Sequence, residues 1–247
     1  MNILKSVIIW LTGICFLVII FPITFVIWGL VLPFDRDRIV IHWILVFQGM
    51  VLATIFSFGM IDVKGRRNIV SGTTYVIVSN HQSILDICLL YGVMYKFKWI
   101  SKIENIRIPI LGWYLKMADY IIVDRGNDVS KIEMLAKSHR CLKDGISIMI
   151  FPEGTRSLDK EIKSFKRGAF QLAIQANVPI LPVLVDGTGG ILPKHGLIFG
   201  GGHHLKVRIL DPVLPSSFNT TEPDALAKQV NSLMTLKLKE LRSVNFL

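Results

Sequence analysis

Two long apolar runs open the chain, and shorter alternating patterns fill the rest. Residues 6–34 contain no charge, and residues 39–61 hold His42 as their only titratable group. As helices they would measure about 43 and 34 Å, against a hydrocarbon core of ~30 Å, so each is long enough to cross a bilayer. Pro22 is expected to kink or interrupt the first. Thr12, Thr24, His42, Gln48 and Ser57 do not gather on one face, which disfavours a helix lying flat on a membrane. Asp35-Arg36-Asp37-Arg38 joins the runs as a hairpin turn. Its charges resist lipid at roughly 2.5–3.5 kcal/mol each, so the tip is expected at an aqueous interface. Lys5 at one end, with Lys64, Arg66 and Arg67 at the other, predicts both hairpin ends and the following domain in the cytoplasm. The lengths favour a spanning hairpin over one packed on that domain and sunk partway into a single leaflet.

From Thr73 the pattern changes. Short apolar runs at 74–79, 97–101, 120–124, 146–151, 180–186 and 205–210 read as strands. Between and after them, 83–95, 109–117, 129–143, 165–176 and 223–242 carry helical periodicity. This alternation predicts an α/β fold with a mixed or mostly parallel central sheet flanked by helices. The expected division is a membrane-associated hairpin over 1–62 and an α/β domain over 63–247. In such sheets chemistry gathers beyond one end of the strands, and His81, Arg125, Glu153 and Arg156 all fall just past predicted strand ends. The last helix reads as a packing element with Lys237, Lys239 and Arg242 on its solvated side.

Charge narrows the class of partner. The net charge is +10, and residues 61–247 hold 25 of the 28 basic but 16 of the 18 acidic residues. No nucleic-acid motif accompanies this surplus, so beside an apolar N-terminus a membrane lipid is the simpler partner. Cys15, Cys88 and Cys141 are widely spaced without a Cys-x-x-Cys, which supports neither a disulfide framework nor a zinc site. Gly200-Gly201-Gly202 with His203-His204 lacks a Gly-Lys-Ser/Thr signature or a second ligand set and reads as a strand connection.

The candidate chemistry starts at Asn80-His81-Gln82-Ser83-Ile84-Leu85-Asp86, directly after the run 75–79. On one continuous helix His81 and Asp86 would stand about 140° apart, so they meet only if the chain bends between them. Ser83 as an N-cap supplies that bend, leaving His81 on the turn and Asp86 in the first helical turn. A carboxylate on one ring nitrogen leaves the other free to take a proton. The same residues also fit a capping box, in which Asp86 merely satisfies the backbone of Ser83.

Three further blocks follow in order: Asp119-Tyr120-Ile121-Ile122-Val123-Asp124-Arg125, Phe151-Pro152-Glu153-Gly154-Thr155-Arg156-Ser157 and Val178-Pro179-Ile180-Leu181-Pro182-Val183. With the His81–Asp86 pair, they resemble the glycerophospholipid acyltransferase family, most closely the 1-acylglycerol-3-phosphate acyltransferases. The resemblance covers roughly Thr73 to Asp186. One position departs: Asp119 stands where the family's second block opens with Gly.

The resemblance implies a glycerolipid acyltransferase fold at the cell membrane, with the catalytic domain on the cytoplasmic side. It implies transfer of an acyl chain to the sn-2 hydroxyl of lysophosphatidic acid. His81 would serve as general base and Asp86 would fix its tautomer, with backbone N–H groups at the start of the following helix as oxyanion donors. Arg125 and Arg156 match positions associated with glycerol-phosphate binding, and Lys102 lies where a basic residue is common. Glu153 and Gly154 would shape the turn that presents Arg156, and with Thr155 they would complete the substrate-binding set of Lys102, Arg125 and Arg156. Pro179 and Pro182 would wall the acyl chain or simply pack a strand. Acyl-CoA or acyl carrier protein would be the co-substrate, with no metal or other cofactor. No Gly-x-Ser-x-Gly elbow occurs, so direct transfer is the simpler scheme. Acylation of glycerol 3-phosphate or another lysolipid, thioester hydrolysis and non-catalytic lipid binding are the alternatives.

Overall fold

A computed structural model describes residues 3–200, 204–218 and 220–243. Its core is a seven-stranded sheet built from β1 (Ile61–Lys64), β2 (Val76–Ser79), β3 (Phe97–Lys102), β4 (Ile121–Val123), β5 (Ser147–Ile150), β6 (Ile180–Asp186) and β7 (Leu205–Ile209). The spatial order is β1-β7-β6-β2-β5-β3-β4. Strands β6, β2, β5, β3 and β4 are mutually parallel. β7 is antiparallel to β6 and parallel to β1, so the two strands at that end of the sheet are reversed. The mixed, mostly parallel sheet is the one the sequence predicts.

Alternation along the strands builds two apolar layers. Ile77, Met149, Leu181, Val183 and Val185 enter one cluster, whereas Val76, Val78, Ile148, Ile180 and Leu184 enter the other. Burial on both faces explains the unbroken apolar runs in these strands. The second face is covered by α5 (Asp128–Lys143), α6 (Gly168–Ala176) and α8 (Pro223–Ser243), whose Leu226, Ala227, Val230, Met234 and Leu238 line one stripe. The first face is covered by α3 (Leu85–Leu90), α4 (Leu111–Met117) and the N-terminal hairpin of α1 (Ile3–Val31) and α2 (Ile39–Ser57).

That hairpin is more closely joined to the α/β body than a free-standing pair of spanning helices would be. α1 runs without interruption through Pro22. α2 buries Ile41, His42, Leu45, Val46, Leu52, Ala53 and Phe56. A Cβ on Gly49 would stand 2.3 Å from Tyr91 Cδ2, so glycine lets the helix backbone pass close to that ring. His42 bonds the Tyr120 hydroxyl at 3.2 Å and the Tyr95 carbonyl at 2.9 Å. The charged tip is also docked. The Asp35 carboxylate accepts from Ile39 N at 2.7 Å and Val40 N at 3.0 Å, satisfying orphan donors of α2. Asp37 and Arg38 line a crevice with Lys96, Phe97 and Lys98 at the N-terminal edge of the sheet. The tip therefore stays beside the body, and the expected boundary after residue 62 falls inside β1.

Other departures are local. The helix expected over 83–95 is α3 followed by a 3₁₀ turn at Tyr91–Val93, stopped by Met94 at φ +55°. Pro182 sits within β6, in register with Val78, and its carbonyl accepts from Leu210 N at 2.9 Å, which favours the strand-packing reading of the fourth block. Arg242 turns inward rather than to solvent and pairs with Asp186 at 3.0 Å and Glu161 at 2.7 Å. The Gly201–His203 part of the glycine-rich connection lies outside the described residues. Asp119 adopts φ +50°, a left-handed conformation natural to glycine and tolerated by Asp. Its carboxylate is held by Lys98 at 3.0 Å and Lys137 at 2.7 Å.

Candidate active site

The site forms where β2, β5 and β6 end. Asn80, buried at the end of β2, clasps β6 by donating to the Val185 carbonyl at 2.8 Å and accepting from Val185 N at 2.9 Å. The chain thus leaves the sheet at a fixed point. His81 comes next on the turn, and α3 folds back beneath it. Asp86, with no solvent exposure, accepts from His81 Nδ1 at 2.8 Å. The same Oδ2 accepts from Gln82 N at 2.6 Å and Ser83 N at 2.9 Å. Oδ1 accepts from Thr188, in α7 (Thr188–Ile191) just beyond β6. Both readings of Asp86 therefore hold for one carboxylate, which caps the turn and holds the imidazole. The N–H groups of Gln82 and Ser83 are committed to it, and Leu85 N donates to Ser83 Oγ at 3.3 Å. Of the expected oxyanion donors at the start of the following helix, Ser83 N and Leu85 N are thus already engaged. Ser83 is not the formal cap, since α3 begins after Ile84, and its hydroxyl instead donates to the Leu192 carbonyl at 2.7 Å.

The imidazole is fixed in plane as well as in tautomer. Its ring stacks on Phe151 with centroids 3.8 Å apart and an 11° tilt, and Phe151 stacks in turn on Trp99 at 5.3 Å. Two backbone contacts fasten the β2 and β5 loops together: His81 N donates to Glu153 Oε1 at 2.8 Å, and Ser157 N donates to the His81 carbonyl at 2.8 Å. The His81 side chain keeps 15% exposure, and among the described residues its Nε2 has no hydrogen-bond partner. Glu153 also accepts from Lys163 N at 3.2 Å. Burial pushes its carboxyl up to about 7, against the two backbone donors that favour the ionised form.

The expected cations lie at or beyond the C-terminal ends of β3, β4 and β5. Arg125 follows β4 and donates to the Gly154 carbonyl, which brings the second block onto the third. Gly154 holds φ +71°, and a Cβ there would lie 3.0 Å from Lys166 Cε. Thr155 accepts from Lys194 at 3.1 Å. Arg156 is half-buried and makes no ion pair among the described residues. Lys102 is paired with Glu104 in solvent, which leaves its charge partly neutralised. Asn80, Phe151 and Thr188 are contacts that motif reasoning missed. The first two open their blocks and were open to notice; Thr188 lies 102 positions from Asp86 and carries no sequence signal.

The chain is similar to known proteins. A family model described as Acyltransferase matches residues 60–186. A chloroplastic 1-acyl-sn-glycerol-3-phosphate acyltransferase of Brassica napus is 34% identical over 233 residues, covering 90% of this chain and 67% of that protein. The chloroplastic LPAT1 of Arabidopsis thaliana, named for the same activity, is 37% identical over 73% of this chain and 51% of its own length. The chain thus spans between half and two thirds of these relatives. The crystal structure of the 1-acyl-sn-glycerophosphate acyltransferase PlsC from Thermotoga maritima superposes with a TM-score of 0.82 at 28% identity, covering 98% of this chain and 96% of that one. With the family model spanning half of its length, and with a sheet and strand-end blocks in the expected order, the chain belongs to the glycerophospholipid acyltransferase family.

Proposed function

We propose that the chain transfers an acyl group from an acyl thioester to the sn-2 hydroxyl of 1-acylglycerol 3-phosphate, giving phosphatidic acid. The observation that carries this reading is an imidazole held at Nδ1 by a fully buried carboxylate, with its Nε2 unengaged. His81 Nε2 takes the proton from the acceptor hydroxyl as its oxygen attacks the thioester carbon. Asp86 stabilises the imidazolium that results. Collapse of the tetrahedral adduct breaks the C–S bond, and the departing thiolate takes the proton back from His81. Arg125 and Arg156 hold the acceptor phosphate, with Lys102 as an outer contact. Glu153, Gly154 and Thr155 set the loop that carries Arg156. The names of the relatives favour lysophosphatidic acid as the acceptor.

The reading extends to location. α1 exposes Leu11, Ile14, Val18, Ile19, Val26 and Leu30, and Trp43, Phe47 and Trp113 add to the exposed apolar surface. Exposed apolar area on this scale marks a membrane contact. Because the tip stays beside Lys96 and Lys98, the hairpin enters one leaflet and the α/β body remains on the cytoplasmic side.

The test is purified protein offered a long-chain acyl thioester with lysophosphatidic acid, glycerol 3-phosphate or no acceptor, with products identified by mass. Phosphatidic acid is expected from wild type, and a loss of about 10³-fold or more from His81→Ala. Full activity in His81→Ala would sink the general-base scheme. Thiol release that is independent of acceptor would replace transfer with hydrolysis.

A further inference from the structure

On the β6 flank of His81 lies a cavity of about 190 Å³, bounded by Gln82, Ser157, Lys160, Gly189, Lys194 and His195. Arg125 and Lys102 belong to β4 and β3, on the other flank of β2. The cavity and those two cations thus lie on opposite sides of β2.

Its lining has a definite chemistry. Gln82 is 2% exposed, and its Nε2 faces the Lys160 and Val185 carbonyls at 3.3 Å and the Asp186 carboxylate at 3.5 Å. Those three acceptors fix the orientation of the amide, and among the described residues Oε1 is left without a hydrogen-bond partner. A Cβ on Gly189 would lie 3.5 Å from that oxygen and 3.3 Å from Lys160 Cγ, so glycine keeps the space beside it open. Lys160 and Lys194 have no acidic partner among the described residues. Nearby Asp186 and Glu161 are taken up by Arg242. The loop is held in place: Lys160 adopts φ +66°, and its carbonyl accepts from Arg242 at 2.8 Å. Left-handed backbone at a residue other than glycine persists where surrounding contacts enforce it.

We propose that this cavity receives the 4′-phosphopantetheine arm of the acyl donor, with an amide N–H of the arm on Gln82 Oε1 and its phosphate against Lys160 and Lys194. The assignment rests on the transferase reading above and extends it to the donor. Direct transfer requires the acceptor hydroxyl and the thioester carbon to meet at His81 while their polar ends leave in different directions. With Arg125 and Lys102 drawing the acceptor phosphate away from β6, the donor arm leaves along β6. That arm joins amide donors to a phosphate, which matches an orphan carbonyl beside two ammonium groups that have no acidic partner among the described residues. It is also the part that acyl-CoA and acyl carrier protein have in common.

The experiment compares the full chain with a Lys160→Gln/Lys194→Gln variant, which removes both charges while keeping a polar side chain at each position. Calorimetric titration with 4′-phosphopantetheine should show binding about tenfold weaker in the variant, as expected when charge-assisted bonds to a phosphate are lost. Pantetheine, without the phosphate, should bind both proteins alike, and Gly189→Ala should weaken both probes by narrowing the cavity. In turnover, the double variant should raise KM for acyl-CoA and acyl carrier protein by similar factors and leave the acceptor KM unchanged. Equal phosphopantetheine affinity in the two proteins would overturn the assignment. So would a penalty confined to one donor, which points to the nucleotide or to the carrier's surface, or a penalty on the acceptor KM. Wild-type protein without transferase activity would overturn the reading in the previous subsection, while the titration would still decide what the cavity binds.

Discussion

The corner that holds His81 and the rim that carries the cations are both made of loops at strand ends, yet they are secured in opposite ways. In the corner, one buried carboxylate accepts four donors, three from the turn at 81–83 and one from Thr188. On the rim, Arg125 rests on a single carbonyl, Lys102 shares a solvent-exposed carboxylate, and Arg156 has no ion-pair partner among the described residues. Proton transfer tolerates little error in position, so the corner is over-determined. A phosphate is bound by charges that must remain available to it, so a guanidinium already saturated by protein carboxylates would serve poorly.

The strongest way to break the comparison is Asp86→Asn. The shape is nearly unchanged, but the carboxylate's charge is lost and an amide NH₂ turns toward groups that all donate to it. Turnover should fall by roughly 10³–10⁴-fold, and stability by about 1–3 kcal/mol from the buried donors left unpaired. Steady-state kinetics and denaturant titration check both. A variant that loses activity without losing stability would mean that the corner is held by packing, not by the carboxylate.

Arg156→Ala probes the rim and should act on a different parameter. Loss of a charge-assisted contact to phosphate predicts an acceptor KM raised about 10- to 100-fold, with kcat changed by only a few-fold and stability almost unaffected. If kcat fell instead at unchanged KM, Arg156 would belong to the reaction geometry and the separation of corner from rim would fail.

The contrast also explains what the sequence disclosed. Strands β2 to β7 were legible because each is a short, largely apolar and buried run, and the His81–Asp86 contact because its members lie on one turn. β1 was missed because Ile61 closes the preceding apolar run, which leaves Val63 alone to mark a four-residue strand. Apolar periodicity also cannot separate lipid from protein interior, so two similar runs gave no sign that α1 is largely exposed while α2 is half-buried in the body. The Asp86–Thr188 contact and the inward turn of Arg242 join positions dozens of residues apart, and no local pattern encodes them.

Glu153 lies between the two regions, and its smaller effect decides to which it belongs. Its carboxylate accepts from His81 N in the corner and from Lys163 N on the loop that follows, yet burial outweighs both donors and raises its pKa from 4.5 to about 7. The folded chain therefore keeps a proton that the unfolded chain has released between about pH 4.5 and about pH 7. The stability this contributes is fully present below that window and is lost as the pH rises through it. Against Glu153→Gln, which does not titrate, the wild-type melting temperature should fall by a few degrees from pH 4.5 to pH 7 and then run parallel. A difference that grew with pH would show the ionised carboxylate favoured by its two N–H donors. Glu153 would then be a second anion built into the rigid corner, and the seam between corner and rim would move to Gly154.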